Sequence, residues 1–261
     1  MTRRAFLRDL GQGTLAVAIL GVGIVSCRAD DDSAETSTSS RLAEDAGTTT
    51  TAPSPPMTSD EGGPAAPLVW ERVVLGGVSA YLLVRAGEAA VVDTGNPGDS
   101  GDIAAALDGL GIGWTDVSTV ILTHLHRDHV GSLGDVMMAA PDAVGFAGAP
   151  DIPSIPSPRT LTPVDDGDSV FGLDIIATPG HTPGSIVVHD PGSGLLVAGD
   201  AMRGGDGGVI GAHPRFSDDM ALANGSIKKL AALDFDTVVF GHGDPVFGGA
   251  SEQVAALAAT L

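Results

Sequence analysis

The chain has a single cysteine, one tyrosine, two lysines and few aromatic residues of any kind, 4% in all. One thiol excludes a disulfide framework and any Cys-rich zinc or iron–sulfur site. Thirteen basic residues stand against 33 acidic ones, and the net charge of −20 repels phosphate backbones, which disfavours nucleic acid as a partner. Any chemistry must therefore draw on histidine and carboxylate. Glycine is abundant at 37 residues, with 17 prolines and no collagen-like period. A hydrophobic content of 43% over 261 residues suffices for the core of one large domain or two small ones.

Residues 1–27 form a segment of their own. Arg3 and Arg4 precede a largely apolar run, Leu15 to Val25, that ends at Cys27. Three arginines against one aspartate give this segment +2 and leave −22 on the rest. The run is short and interrupted by Gly21 and Gly23, which is too weak for a membrane-spanning helix and fits the apolar part of a signal peptide. The paired arginines resemble a twin-arginine export signal. Ile24-Val25-Ser26-Cys27 resembles a bacterial lipobox, in which the cysteine is lipidated and becomes the new N-terminus. The expectation is an exported protein held to a membrane surface through Cys27, on the outer face of the cytoplasmic membrane or in the periplasm or cell envelope. An uncleaved anchor helix is the plainer alternative. Residues 28–67 are rich in Ser, Thr, Pro and Asp, with Leu42 and Met57 the only large apolar side chains. Such a composition cannot offset its chain entropy, so a disordered tether of roughly 35 Å root-mean-square reach is expected.

From residue 68 to 261 the pattern changes to short apolar runs separated by Gly, Pro and Asp. Strands are expected at Val73–Leu75, Ser79–Val84, Ala89–Val92, Val120–Thr123, Leu173–Ile176, Ser185–Val188, Leu195–Ala198 and Thr237–Phe240. Helical spacing of Ile103, Leu107 and Leu110, opened by Asp99 or Ser100 and stopped by Gly111, predicts a first helix. Further helices are expected over about 217–233 and 252–260. Strands outnumber helices and alternate with them, which predicts sheets with helices on their outer faces.

Three of the seven histidines fall within six residues, His124-Leu125-His126-Arg127-Asp128-His129, where an apolar strand runs out. In extended chain, residues two apart point to the same side, so His124 and His126 can converge on one ion. Asp128 and His129, after a bend, can face a second. His181, Asp200 and His242 each follow an apolar run and sit beside glycine. Imidazole and carboxylate without thiolate suit Zn, Fe or Mn. Four such groups in six positions would leave buried polar atoms unpaired without a metal.

This order of residues, together with Asp93 in Asp93-Thr94-Gly95, resembles the metallo-β-lactamase-fold hydrolases over about residues 70 to 248. The resemblance implies an α/β, four-layer αβ/βα sandwich. It implies His124, His126 and His181 on a first metal, and Asp128, His129 and His242 on a second. Asp200 would bridge them with a hydroxide that attacks an ester, thioester, lactone or related bond of a small substrate. Asp128 would orient the nucleophile or carry a proton, and Asp93 would hold a ligating imidazole. Two divalent ions are implied, zinc first, with iron or manganese as alternatives. The bridging Asp200 and Pro179-Gly180-His181-Thr182-Pro183-Gly184 are most like the glyoxalase II and lactonase branches. However, only about twenty residues follow His242, so the extra helical domain that binds the thioester in glyoxalase II is expected to be missing, and Met202-Arg203 stand where lactonases place a tyrosine. Two rivals remain: an oxidoreductase with one iron, similar to the persulfide dioxygenases of the superfamily, and a non-catalytic metal- or ligand-binding lipoprotein. Arg203 is read as a solvated loop residue, His189 as a surface or edge histidine, His213 as a loop residue, and Trp70, Trp114 and Tyr81 as packing groups.

Overall fold

The apolar runs beyond residue 68 assemble into two six-stranded sheets. The computed structural model describes residues 66–261; the expected signal peptide, Cys27 and nearly all of the expected tether lie outside the described residues. The first sheet takes β1 (Val69–Leu75), β2 (Val78–Arg85), β3 (Glu88–Val92), β4 (Val117–Leu122), β5 (Val144–Gly148) and β6 (Thr162–Val164), in that order across it. β1 to β3 form antiparallel hairpins, whereas β3 to β6 are parallel. Their crossovers carry α1 (Ser100–Gly109), α2 (Arg127–Val130) and α3 (Leu133–Ala139). The second sheet takes β7 (Ser169–Val170), β8 (Leu173–Ala177), β9 (Ile186–Asp190) and β10 (Leu195–Val197). A separate hairpin, β11 (Met202–Gly205) and β12 (Gly208–Gly211), and α4 (Met220–Leu230) come next, before β13 (Thr237–Val239) and β14 (Val246–Phe247) complete that sheet. α5 (Ala250–Ala258) closes the chain's ordered elements.

The alternation of side chains along the strands explains the layers. On β2, Tyr81 and Leu83 face the second sheet and meet Leu173, Ile175, Val188 and Val197. Ala80 and Leu82 face the other way, onto Ile103 and Leu107 of α1 and Leu133 and Val136 of α3. The outer face of the second sheet, with Val187, Leu196 and Val238, is covered by Ile227 and Leu230 of α4 and Val254 of α5. A strand buried on both faces reads as a continuous apolar run, the form seen in the sequence. The result is the αβ/βα sandwich expected.

Bonds between the sheets gather at one end. Ser79 N–H donates to the Gly241 carbonyl at 2.9 Å, and Ile186 N–H to the Thr123 carbonyl at 2.9 Å. The Tyr81 hydroxyl donates to the Phe240 carbonyl at 2.6 Å. These contacts fix the carboxyl end of β13 against β2 and that of β4 against β9, and ligands in parallel-stranded α/β folds gather at such strand ends.

Candidate metal centre

Each predicted site residue lies just beyond the end of a strand: Asp93 after β3, His124 to His129 after β4, His181 after β8, Asp200 after β10 and His242 after β13. Ligand atoms of His124, His126 and His181 lie within 4.8 Å of one another, as do those of Asp128, His129 and His242. His181 Nε2 is 2.9 Å from His126 Nδ1 and 3.3 Å from His124 Nε2. Asp200 stands between the two sets. Its Oδ1 faces His129 Nε2 at 3.4 Å, while its Oδ2 faces His181 Nε2 at 3.5 Å and His242 Nε2 at 3.4 Å.

Four of the five imidazoles are oriented from behind. His124 Nδ1 meets Thr123 Oγ1 at 3.1 Å, and His181 Nδ1 meets Ser217 Oγ at 3.1 Å. His129 Nδ1 meets Asp93 Oδ2 at 2.7 Å, and His242 Nδ1 donates to the Gly77 carbonyl at 2.7 Å. Each bond leaves Nε2 directed at the centre, the arrangement by which outer partners fix a ligand's tautomer and basicity. His126 alone presents Nδ1. Asp93 has a left-handed φ of 60°, uncommon for a residue with a side chain, and its carboxylate also accepts from Thr123 N–H at 2.8 Å and Thr123 Oγ1–H at 2.7 Å.

The charges divide the centre in two. Burial and neighbouring imidazoles push His124 well below its ordinary range and take His181 down to about 3. Both are neutral, with lone pairs to give. Burial opposes charge on His129, yet Asp93, Asp200 and Asp128 outweigh it and raise that imidazole. A hydrogen bond donated to Asp128 takes His242 up to about 9, and the same bond holds the Asp128 carboxyl far below its usual range. Burial raises Asp200.

The donor set fits a cation. His129 Nε2 and Asp200 Oδ1 are both buried without a hydrogen-bond partner among the described residues. Each such orphan costs about 1–3 kcal/mol unless something satisfies it. Three ring nitrogens crowded onto one point cannot all bond to one another, since a neutral imidazole has one donor and one acceptor. A shared metal ion takes all their lone pairs. The family model described as the Metallo-beta-lactamase superfamily matches residues 73–145 and 138–242. The chain belongs to the metallo-β-lactamase superfamily. Hydroxyacylglutathione hydrolase of Aeromonas salmonicida (strain A449) is 33% identical over 164 residues, 61% of this chain and 58% of that protein. The metallo-β-lactamase SMB-1 bound to 2-mercaptoethanesulfonate superposes with a TM-score of 0.59 at 22% identity, over 75% of this chain and 92% of that one. TTHA1623 in a di-iron-bound form gives a TM-score of 0.59 at 25% identity, over 70% and 98%. The chain spans about 60% of the length of the curated relatives it matches.

Within this metallo-β-lactamase fold, one supporting residue has no signal in the sequence. Asp151 is fully buried. Its Oδ2 accepts from Leu125 N–H at 3.0 Å and Thr182 Oγ1–H at 2.6 Å, and its Oδ1 from Gly184 N–H at 2.7 Å. It thereby ties the loop of His124 and His126 to the loop of His181. Glycines admit these close approaches: a Cβ on Gly148 would collide with the Gly184 carbonyl, and one on Gly241 with Asp200 Oδ1 and His129 Cε1.

A cavity of about 440 Å³ opens on the centre. His126, Asp128, Asp200 and His242 line it together with Arg127, Arg203, His213 and Phe216. Arg203, read from sequence as a solvated loop residue, and His213 thus stand at the site. His189 does not: it is buried on β9, with Nε2 3.3 Å from the Asp234 carbonyl. Ile152 and Ile155 of the Pro-rich loop pack into the core rather than the cavity.

Proposed function

We propose that this chain is a binuclear metal-dependent hydrolase acting on an ester, thioester, lactone or related bond of a small substrate. The observation that carries the reading is Asp200, whose two oxygens reach toward both ligand sets at 3.4 to 3.5 Å. His124, His126 and His181 would hold one ion, Asp128, His129 and His242 the other, and Asp200 both. Two bound dications would supply an acidified water as nucleophile and would polarise the substrate's carbonyl or phosphoryl oxygen. The chain's own groups do the rest. Asp128 lines the cavity and remains ionised beside His242, 3.2 Å away, so it can orient the nucleophile by accepting its hydrogen bond. Asp93 fixes the ring plane of His129, and Thr123 is held by the same carboxylate. The resemblance to hydroxyacylglutathione hydrolases supports a thioester or ester over a lactam. Zinc is the first choice of metal, with iron the alternative that the di-iron neighbour supports. The N-terminal segment would hold this domain, through Cys27, on the outer face of the cytoplasmic membrane or in the periplasm or cell envelope.

The test is metal content of protein purified without added metal, followed by a panel of chromogenic esters, thioesters, lactones and phosphodiesters. About two ions per chain are expected, with turnover lost in His126→Ala. One iron per chain with oxygen uptake on a persulfide would replace this reading with an oxidative one. Full occupancy without turnover of any substrate would leave a binding protein.

A further inference from the structure

We propose that Arg203, with Arg127 beside the same cavity, holds an anionic end of the substrate, so that the compound hydrolysed is a small carboxylate-bearing ester or thioester whose apolar arm lies on Phe216. This rests on the hydrolase reading and names its substrate class.

Several of the few basic side chains are committed elsewhere. Among the described residues, ion pairs take Arg72, Arg85 and Lys229, to Asp244, Asp190 and Asp166. Arg159 donates to the carbonyls of Met137, Ala140 and Pro141. Arg127 and Arg203 have no carboxylate within ion-pair distance among the described residues, yet both line the cavity over the metal centre. On a chain of net charge −20, two guanidiniums without carboxylate partners place positive charge beside one cavity. The acids on that cavity, Asp128 and Asp200, are the metal's own ligands, so their charge is used there.

Arg203 is also positioned. It lies on β11, is partly buried, and its Nε donates to the Gly211 carbonyl of β12 at 3.1 Å. One side of the guanidinium is fixed on the hairpin, and the terminal nitrogens are left for a ligand. A guanidinium held in this way offers the forked geometry that carboxylates take.

The apolar wall is equally well placed. Phe216 lines the cavity and is 56% exposed. The His213 ring packs 4.7 Å from its centroid and Arg215 lies over its face at 5.7 Å. The loop is tied to the centre because Ser217 Oγ donates to the His213 carbonyl at 3.0 Å and meets His181 Nδ1 at 3.1 Å. Phenyl ring and guanidinium thus flank the centre, suited to an amphipathic acid.

The metal-loaded protein is tested on a matched pair, the phenylacetyl thioester of mercaptoacetic acid and that of mercaptoacetamide. In each, water adds to the acyl carbon and the C–S bond breaks, giving phenylacetate, the thiol and a proton. The acid should exceed the amide in kcat/KM by roughly tenfold or more, mostly through KM. In Arg203→Gln the loss on the acid should exceed the loss on the amide by roughly the same factor, while Arg203→Lys, which keeps the charge, should retain part of the preference. The amide reports folding in each variant. A wild-type ratio near one, or a ratio untouched by Arg203→Gln, overturns the proposal. Binding of the uncleavable thioether (phenethylthio)acetate is measured in parallel. If neither thioester is cleaved but the thioether acid binds wild type roughly tenfold more tightly than Arg203→Gln, the hydrolase reading fails and the anion subsite stands. If it binds both alike, the subsite falls too.

Discussion

Two buried carboxylates, Asp93 and Asp151, support the centre from behind: Asp93 holds His129 of one ligand set directly and braces His124 of the other only through Thr123, while Asp151 serves the three-histidine set alone. Asp93 bonds to His129, whereas Asp151 touches no ligand and instead fixes backbone on both loops of the three-histidine set. Outer partners of this kind commonly hold ten- to a hundredfold in metal affinity. Asp151→Asn turns one acceptor into a donor aimed at a backbone N–H, and should weaken the three-histidine set by roughly that factor. Asp93→Asn should instead weaken most the set containing His129, which it touches directly, since it reaches His124 only through Thr123. Cation titration with counting of bound ions checks both; loss of the same ion in the two variants would refute the division. Only one of these acids was legible beforehand. Asp93 sits in Asp-Thr-Gly at the end of an apolar run, a local signal. Asp151 lies in a loop among prolines, and the groups it satisfies are 26 to 33 residues distant in sequence. The place of Arg203 at the cavity is hidden from the sequence for the same reason, since that cavity exists only after distant loops meet.

At the scale of elements, close approach of backbone decides where the ligands stand. Gly241 follows β13 and leaves room for Asp200 and His129. Gly241→Ala should lower metal affinity by roughly tenfold or more while far-ultraviolet circular dichroism stays native, since the added methyl meets the ligands rather than the core. Collapse of the spectrum along with the affinity would show a role in folding instead. The strands β2, β3, β4, β8, β9, β10 and β13 were readable as apolar runs because they are mostly buried, whereas of β1, exposed on one face, only Val73–Leu75 stood out. β5, β6, β7 and β14, and the Gly-rich hairpin of β11 and β12, were not readable, because they are short and carry no continuous apolar run. α4 begins later than its apolar pattern suggests: the Asp219 carboxylate accepts from Ala221 and Leu222 N–H groups and sets the start. The first helix fared better, with Gly111 at φ 71° just past its end.

At the scale of the molecule, the chain's one tyrosine joins the two sheets and reports on their union. Burial pushes Tyr81 up from 10.0 to about 12. Its folded value lies above its unfolded one, so the stability it contributes is complete below pH 10 and is lost as pH rises through 12. Phenolate absorbance should therefore appear only near the upper value and together with loss of structure. A midpoint near 10 in a protein that still has its native spectrum would contradict this.

The centre itself is divided between those sheets. Histidines 124, 126 and 129 and Asp128 belong to the first half, and His181, Asp200 and His242 to the second. During synthesis the first four groups emerge long before the last three exist, so no nascent intermediate can grip an ion at full strength. Capture of the cation is thus a seal placed on a finished molecule, and a clasp that resists its reopening.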